Sequence, residues 1–380
     1  MRIFAVMMFL ALLAITIPNG NAAASFHGDE MLMLFSADTE DGQIAQSEMD
    51  STHDMDGGES STMPMEGMTM GGLMRPDMAP PAGVMGGMAP SEDRFMGSLS
   101  YMRMLMGGNR DGTDDVSAAD VLADFPVTPL NMQMDMLMAS GMYGVTEDFS
   151  VMAMVPYLWL EMDHTNRNGV DFKTRAEGVG DIVFSSAYDL YEGDVNSLQV
   201  LAGFSLPTGS INQRDDTPAG NDQVLPYPMQ LGSGTVDAMP ALHYAGFASG
   251  WSWGAHLGAR LRLGRNSQDY SLGDRYDAGV WGSRLWSDSL STSLMLSAET
   301  IGDIDGQDSR LNAATVPTAD PDLRAGTFVM LALGVNYIVQ DGPLSGVRFG
   351  LEGQLPVHQN LDGPQLERDY AFSFSVGRAF

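Results

Sequence analysis

The sequence predicts an all-β chain, a transmembrane antiparallel β-barrel of about 12 strands preceded by a disordered Met-rich segment. Three observations predict it. Successive segments alternate polar and apolar residues with period two, the connections between them alternate between long and short, and the chain ends on an aromatic strand closing with Phe380.

The alternation is clearest in three segments. Leu198, Val200, Ala202, Phe204 and Leu206 alternate with Gln199, Leu201, Gly203 and Ser205; Trp251 to Leu263 at odd positions alternate with Ser252, His256, Arg260 and Arg262; Leu290, Thr292, Leu294, Leu296 and Ala298 alternate with Ser291, Ser293, Met295 and Ser297. A polar face looks outward to water in a soluble sandwich and into the lumen in a membrane barrel, so alternation alone leaves both open.

Connection length separates them. Strands are predicted at 95–106, 132–143, 149–164, 177–191, 197–208, 232–247, 251–264, 274–286, 290–303, 326–339, 347–357 and 367–380. Long connections follow the odd strands: the Asp-rich segment after Gly107, the NRNG segment, the loops holding LPYPMQ and VPTADPDLR, and those around Asn266 and Asn360. Short ones lie near Gly144, Gly193, Gly250, Ser287 and Gly342. Long outer loops and tight periplasmic turns are the topology of an outer-membrane barrel. At the C-terminus, Tyr370, Phe372, Phe374, Val376 and Phe380 share one face, the pattern by which such barrels are recognised for insertion, with Arg378 departing from it. All five tryptophans fall near predicted strand ends, as an aromatic girdle requires.

Upstream of the barrel, residues 1–24 read as a signal peptide: Arg2, an apolar run over 3–17, then Ala22, Ala23 and Ala24. Residues 25–94 are rich in Met, Gly and Asp and poor in β-branched and aromatic residues, so too little apolar surface is available to offset ordering entropy. The barrel is assigned to 95–380. Beyond the signal the longest uncharged apolar run, 149–160, is interrupted by Pro156 and too short to cross a bilayer as a helix. There is no cysteine, and the formal net charge of −30 opposes nucleic acid as a partner. The expected partners are outer-membrane lipids, the barrel-assembly machinery, and a small solute or metal ion.

The stretches GVGDIVFSSAYDLY (178–191), LQVLAGFSLPTGS (198–210) and LGSGTVDAMPALHY (231–244) resemble the outer-membrane family named for the meta-pathway of phenol degradation. That resemblance spans about residues 95–380 and implies a barrel with a transport role; its motifs mark barrel geometry rather than chemistry.

Methionine is the unusual residue, with 31 in the chain. His53, Met55, Met63, Met65, Met68, Met70 and Met74, flanked by Met49 and Met78, place thioethers two and three residues apart beside an imidazole, a soft donor set suited to Cu(I). The segment resembles Met-rich copper-handling segments; a tolerant linker is the competing reading. In the wall, Met102, Met104 and Met106 share one strand face, Met132, Met134, Met136 and Met138 another, and Met152, Met154, Met162 and His164 a third. These are lumen candidates if Leu99, Tyr101, Leu137, Val151 and Val155 face lipid, but Arg103 then lies on the lipid side, which favours reading them as adaptable filler. Arg260 and Arg262 are inward candidates for setting selectivity, with Arg103, Arg284 and Arg348 of open facing.

Asp111, Asp114 and Asp115, and Asp303, Asp305 and Asp308, fall short of a full calcium loop. Enzymatic signatures are lacking; Ser252 near His256 is the one hint of a lipid hydrolase. The expectation is therefore a non-enzymatic outer-membrane channel or transporter for soft metal ions such as copper, with uptake of hydrophobic or aromatic compounds as the alternative.

Overall fold

The computed structural model describes residues 75–81, 84, 87, 90–193 and 195–380. The predicted signal peptide and the copper candidates His53, Met55, Met63, Met65, Met68, Met70 and Met74 lie outside them. In chain order the strands are β1 (Phe95–Gly112), β2 (Asp114–Val116), β3 (Val127–Gly144), β4 (Phe149–Asn166), β5 (Asp171–Val179), β6 (Ile182–Glu192), β7 (Asn196–Leu206), β8 (Arg214–Thr217) and β9 (Gly220–Val224). They continue as β10 (Asp237–Ala248), β11 (Trp251–Arg262), β12 (Tyr270–Ser271), β13 (Arg275–Ser287), β14 (Leu290–Ile301), β15 (Asp305–Gly306), β16 (Gly326–Ile338) and β17 (Arg348–Ala379). One short helix, α1 (Ala118–Asp124), sits between β2 and β3, with Ser117 accepting the Asp120 amide as its N-cap.

Eleven strands form a closed antiparallel ring, β1-β3-β4-β6-β7-β10-β11-β13-β14-β16-β17, sealed by β17 pairing with β1. β17 is a single 32-residue run whose first half pairs with β16 and whose second half pairs with β1. It therefore crosses the wall twice, which gives the twelve crossings the sequence predicts. Among the described residues no helix is long and apolar enough to span a membrane.

Both ends of the barrel lie at the same edge, since Phe380 donates its amide to the Phe95 carbonyl at 2.7 Å. The edge carrying the turns near Gly144, Gly193, Gly250 and Ser287 is thereby periplasmic. Two connections expected to be long are tight instead. β4 and β5 run on to Asn166 and from Asp171, so the NRNG segment is a turn closed by Asn166, whose side chain accepts the amides of Asn168 and Val170. Around Asn360 the strand simply continues. The wall is tall on this side, where β1, β3 and β4 run 18 residues each.

The outward face is apolar: Leu99, Val151, Val155, Phe184, Phe204, Leu257, Leu294, Leu333, Leu351 and Leu355 are exposed, while Ser150, Ser185, Gln199, Ser205, Ser283, Ser291 and Glu352 are buried. That is a membrane barrel with its polar side inward, and its place is the outer membrane. Trp251, Trp253 and Trp286 are exposed near the periplasmic edge, and Trp159 toward the outer one. Trp281 is a correction to the girdle reading. It is 7% exposed and faces inward, because the odd positions of β13 are the lumen side. Arg103 does lie outside, bonded through Nε to Asp135 Oδ1 at 2.7 Å beside the Tyr101 hydroxyl, and this pairing removes the objection it raised to an inward Met face. Arg378, also outward, covers the Phe380 ring at 5.6 Å.

Candidate functional site

The lumen is the candidate site. On one side its wall is built of thioethers: Met102, Met104 and Met106 stand opposite Met136, Met134 and Met132 in register, Met132 stands opposite Met162, and Met142 opposite Met152. Met132, Met142 and Met162 are buried with Leu160, and Met134, Met136, Met138 and Met154 share their face by strand parity. The predicted Met faces are thus brought together as one patch. His164 joins it at the outer end, buried and stacked on Phe172 with ring centroids 4.9 Å apart. Across the lumen stand Met239, Trp281, Met295, Phe328 and Met330.

Cations gather toward the outer half of that opposite wall. Arg262 is bonded to Asp237, which also accepts the Thr235 hydroxyl at 2.6 Å; Arg275 and Arg368 share Glu299. Arg260 faces the same space, and among the described residues its acceptor is the Met239 sulfur at 3.6 Å. Arg260 and Arg262 are therefore inward, as the alternation predicts. Arg284 points out over Trp251, and Arg348 points in, bonded to the Arg75 carbonyl.

The outer mouth is narrowed by the connection 207–236, which folds inward. Leu225, Met229 and Leu231 from it pack against Met132, Leu160 and Met162. Sequence reasoning missed what holds it there. Asp181 accepts the Gly209 amide at 2.9 Å, and the Ser233 amide and hydroxyl at 2.7 and 2.9 Å. The Thr208 hydroxyl accepts the Ile182 amide and donates to the Gly180 carbonyl. Leu231 and Gly232 lie so close to Gly209 that a Cβ there would meet them at 2.6 to 2.8 Å. The three sequence motifs of the family resemblance thus meet in one knot. The knot stands where the wall changes partner: β4 pairs with β5 at its outer end and β6 at its inner end, and the open edge of β5 is covered by β8, Asp215 accepting the Arg175 amide at 2.7 Å.

Above it, three outer loops share a small core of Tyr227, Tyr270 and Ile304. Arg310 ties two of them, holding Asp308 at 2.6 Å while donating to the Asn212 side chain and the Ile211 carbonyl. Burial pushes the Tyr270 hydroxyl up to about 12. The acidic loop residues are spent on such contacts: Asp305 pairs with Arg265, Asp115 with Arg110, and Asp303 accepts the Arg324 and Ala325 amides.

At the periplasmic end the described residues 75–81, 84 and 87 ahead of β1 enter the lumen. The turn Pro76–Met78 lies among β11, β13, β14 and β16, Ser252 donates to the Asp77 carbonyl, and Asp77 is buried with Arg75 on its carboxylate. Val84 packs on Trp281, Met295 and Ala332, and Gly87 donates its amide to Gln199 at 3.0 Å. These described residues of the 25–94 segment find inside the barrel the apolar surface that the segment lacks on its own. Ser252 is engaged by this cork, and His256 bonds Asp277 at 2.9 Å, so the pair suggested for hydrolysis is not assembled.

A closed twelve-crossing barrel with an inward loop and a corked lumen is an outer-membrane channel-type barrel. The family model described as "Putative MetA-pathway of phenol degradation" matches residues 127–313. No curated protein matches it significantly in sequence. Among solved structures, an outer membrane channel from Pseudomonas putida F1 superposes with a TM-score of 0.55 at 13% identity, over 80% of this chain and 100% of the other. A FadL homologue from Pseudomonas aeruginosa gives 0.39 at 12%, over 75% and 90%, and the CymD monoaromatic hydrocarbon channel 0.34 at 8%, over 76% and 89%.

Proposed function

We propose that the barrel conducts small hydrophobic and aromatic solutes across the outer membrane, acting as a channel and not as an enzyme. The observation that carries this reading is the lumen wall of β1, β3 and β4, where thioethers and leucines stand in register at depths where a water-filled porin carries polar side chains. Thioethers suit solutes of varied shape, because Met is unbranched and repacks at little cost. Aromatic edges also make favourable contacts with sulfur. The family's link to phenol degradation agrees with an aromatic cargo. The copper cargo favoured by the Met-rich sequence is set second, since the wall methionines serve apolar passage without a metal.

The test is flux into proteoliposomes of phenol or a monoaromatic hydrocarbon against a sugar of similar size. Aromatic entry should exceed sugar entry, and Met134→Gln with Met136→Gln should reverse that preference. Equal passage of both solutes, unchanged in the variant, contradicts the reading.

A further inference from the structure

We propose that His256 and Met295, flanked by His243 and walled by Trp281, form a lumen site for a soft monovalent metal ion of the Cu(I) type. The inference does not depend on the hydrophobic-solute reading. It rests on side chains within the barrel and on none of the N-terminal methionines.

His256 lies 2.9 Å through Nε2 from Asp277 Oδ2. A carboxylate there fixes the N–H on Nε2 and leaves Nδ1 as a bare lone pair, the arrangement by which metal-binding imidazoles are oriented. That Nδ1 is buried and has no hydrogen-bond partner among the described residues, and the His256 side chain is 9% exposed. A buried acceptor left unmade is costly unless something else uses it.

The end of a methionine side chain stands beside it. Gly279 occupies the position opposite His256 in register, and a Cβ there would fall 2.5 Å from Met295 Cε, 2.6 Å from His256 Cε1 and 2.9 Å from His256 Nδ1. Imidazole and thioether therefore meet over the glycine. Rotation about the last torsion of Met295 turns the methyl aside and bares the sulfur to which it is bonded. On the other side His243 pairs in register with His256, and its Nε2 is likewise buried without a partner among the described residues. Both imidazoles lean on the Trp281 ring, at centroid distances of 5.2 and 6.2 Å.

This chemistry selects its ion. Imidazole with thioether is a soft set, and the aromatic face beside it favours a cation. The donors of this pair are a nitrogen and a sulfur, whereas Ca and Mg take oxygen. Gly87 of the cork lies against the His243 ring, its Cβ position 2.5 Å from Nε2, which puts the site directly under the plug.

The test uses the full chain in detergent with Met49, Met55, Met63, Met65, Met68, Met70, Met74 and Met78 each replaced by Leu, leaving the lumen site as the one under study. Cu(I) is titrated anaerobically against a chromophoric chelator while tryptophan emission is followed. A single equivalent should bind and quench emission. Met295→Leu, which conserves volume, and His256→Gln should each weaken binding on the order of tenfold or more, with heat-modifiability of the barrel unchanged. Trp281→Phe should keep the metal and lose the quenching. Failure to retain Cu(I), or equal retention in Met295→Leu and His256→Gln, overturns the site and leaves these side chains as packing.

Discussion

Asp181 and Ser233, 52 positions apart, are joined twice, the carboxylate accepting the serine amide at 2.7 Å and its hydroxyl at 2.9 Å. With the Gly209 amide on its other oxygen, Asp181 clamps both ends of the loop that narrows the outer mouth. Bonds to a charged acceptor are each worth about 1.5–3 kcal/mol, and losing several at once leaves backbone donors unpaired. Asp181→Ala should therefore free the loop without opening the ring, since no ladder bond is removed. Single-channel recordings should show larger and noisier conductance, and thermal unfolding should shift down. Unchanged conductance would mean that the apolar contacts of Leu225, Met229 and Leu231 hold the loop alone.

The outer lid should loosen in acid. Burial acts to raise the Asp308 carboxyl, but its bonds to the Arg310 side chain and backbone outweigh this and hold it below its ordinary value. For a carboxylate depressed in the folded state, the stabilisation is present above the unfolded pKa and lost as pH falls through the folded one. Proteolytic nicking of loops 207–236 and 302–325 should rise below about pH 4. Arg310→Ala should show that susceptibility already at neutral pH; equal resistance of both proteins across the range would argue against the tie.

Removing the cork should widen the periplasmic mouth. Deleting residues 75–87 takes away the contacts with Ser252, Gln199 and Trp281 but leaves β1 intact. Gly87→Ala is the milder form, because Gly87 has a φ of +81° and a Cβ there meets the His243 ring. Solute flux should increase in both, more in the deletion. Flux equal to the parent in the deletion would show that the outer loop alone limits passage.

Much of this architecture is written locally. Period two assigns Met134, Met136 and Met138 to one face whatever the fold, and one fact, which face meets lipid, then settles the whole wall. Arg260 and Arg262 follow by the same parity. What escaped depends on partners distant in the chain. Asp181 reads as part of a turn motif because its acceptor role is defined only when residues 209 and 233 arrive. Trp281 resembles a girdle residue until the lumen side of β13 is known. The cork carries no period at all, since Gly, Pro and Met fit a surface that the barrel supplies.

The seam of the barrel gives the final prediction. Phe380 donates its amide to the Phe95 carbonyl at 2.7 Å, accepts the Phe95 amide at 3.4 Å, and its ring stacks on that of Phe95 at 6.4 Å. It is the last rung of the β1–β17 ladder, with Arg378 over its outer face. An aromatic pair of this kind contributes about 0.5–1.5 kcal/mol beyond burial, too little to decide whether a barrel with so many ladder bonds is stable. Deleting Phe380 should accordingly cause a small loss of thermal stability once the barrel is folded in vesicles. In cells the loss should be much larger if the terminal aromatic pattern, which resembles an insertion signal, is what the strand is recognised by. The measurement is the heat-modifiable fraction in outer membranes beside the same fraction after refolding in vitro. A deletion that assembles in cells at parental levels would show that recognition rests on Tyr370, Phe372 and Phe374 instead.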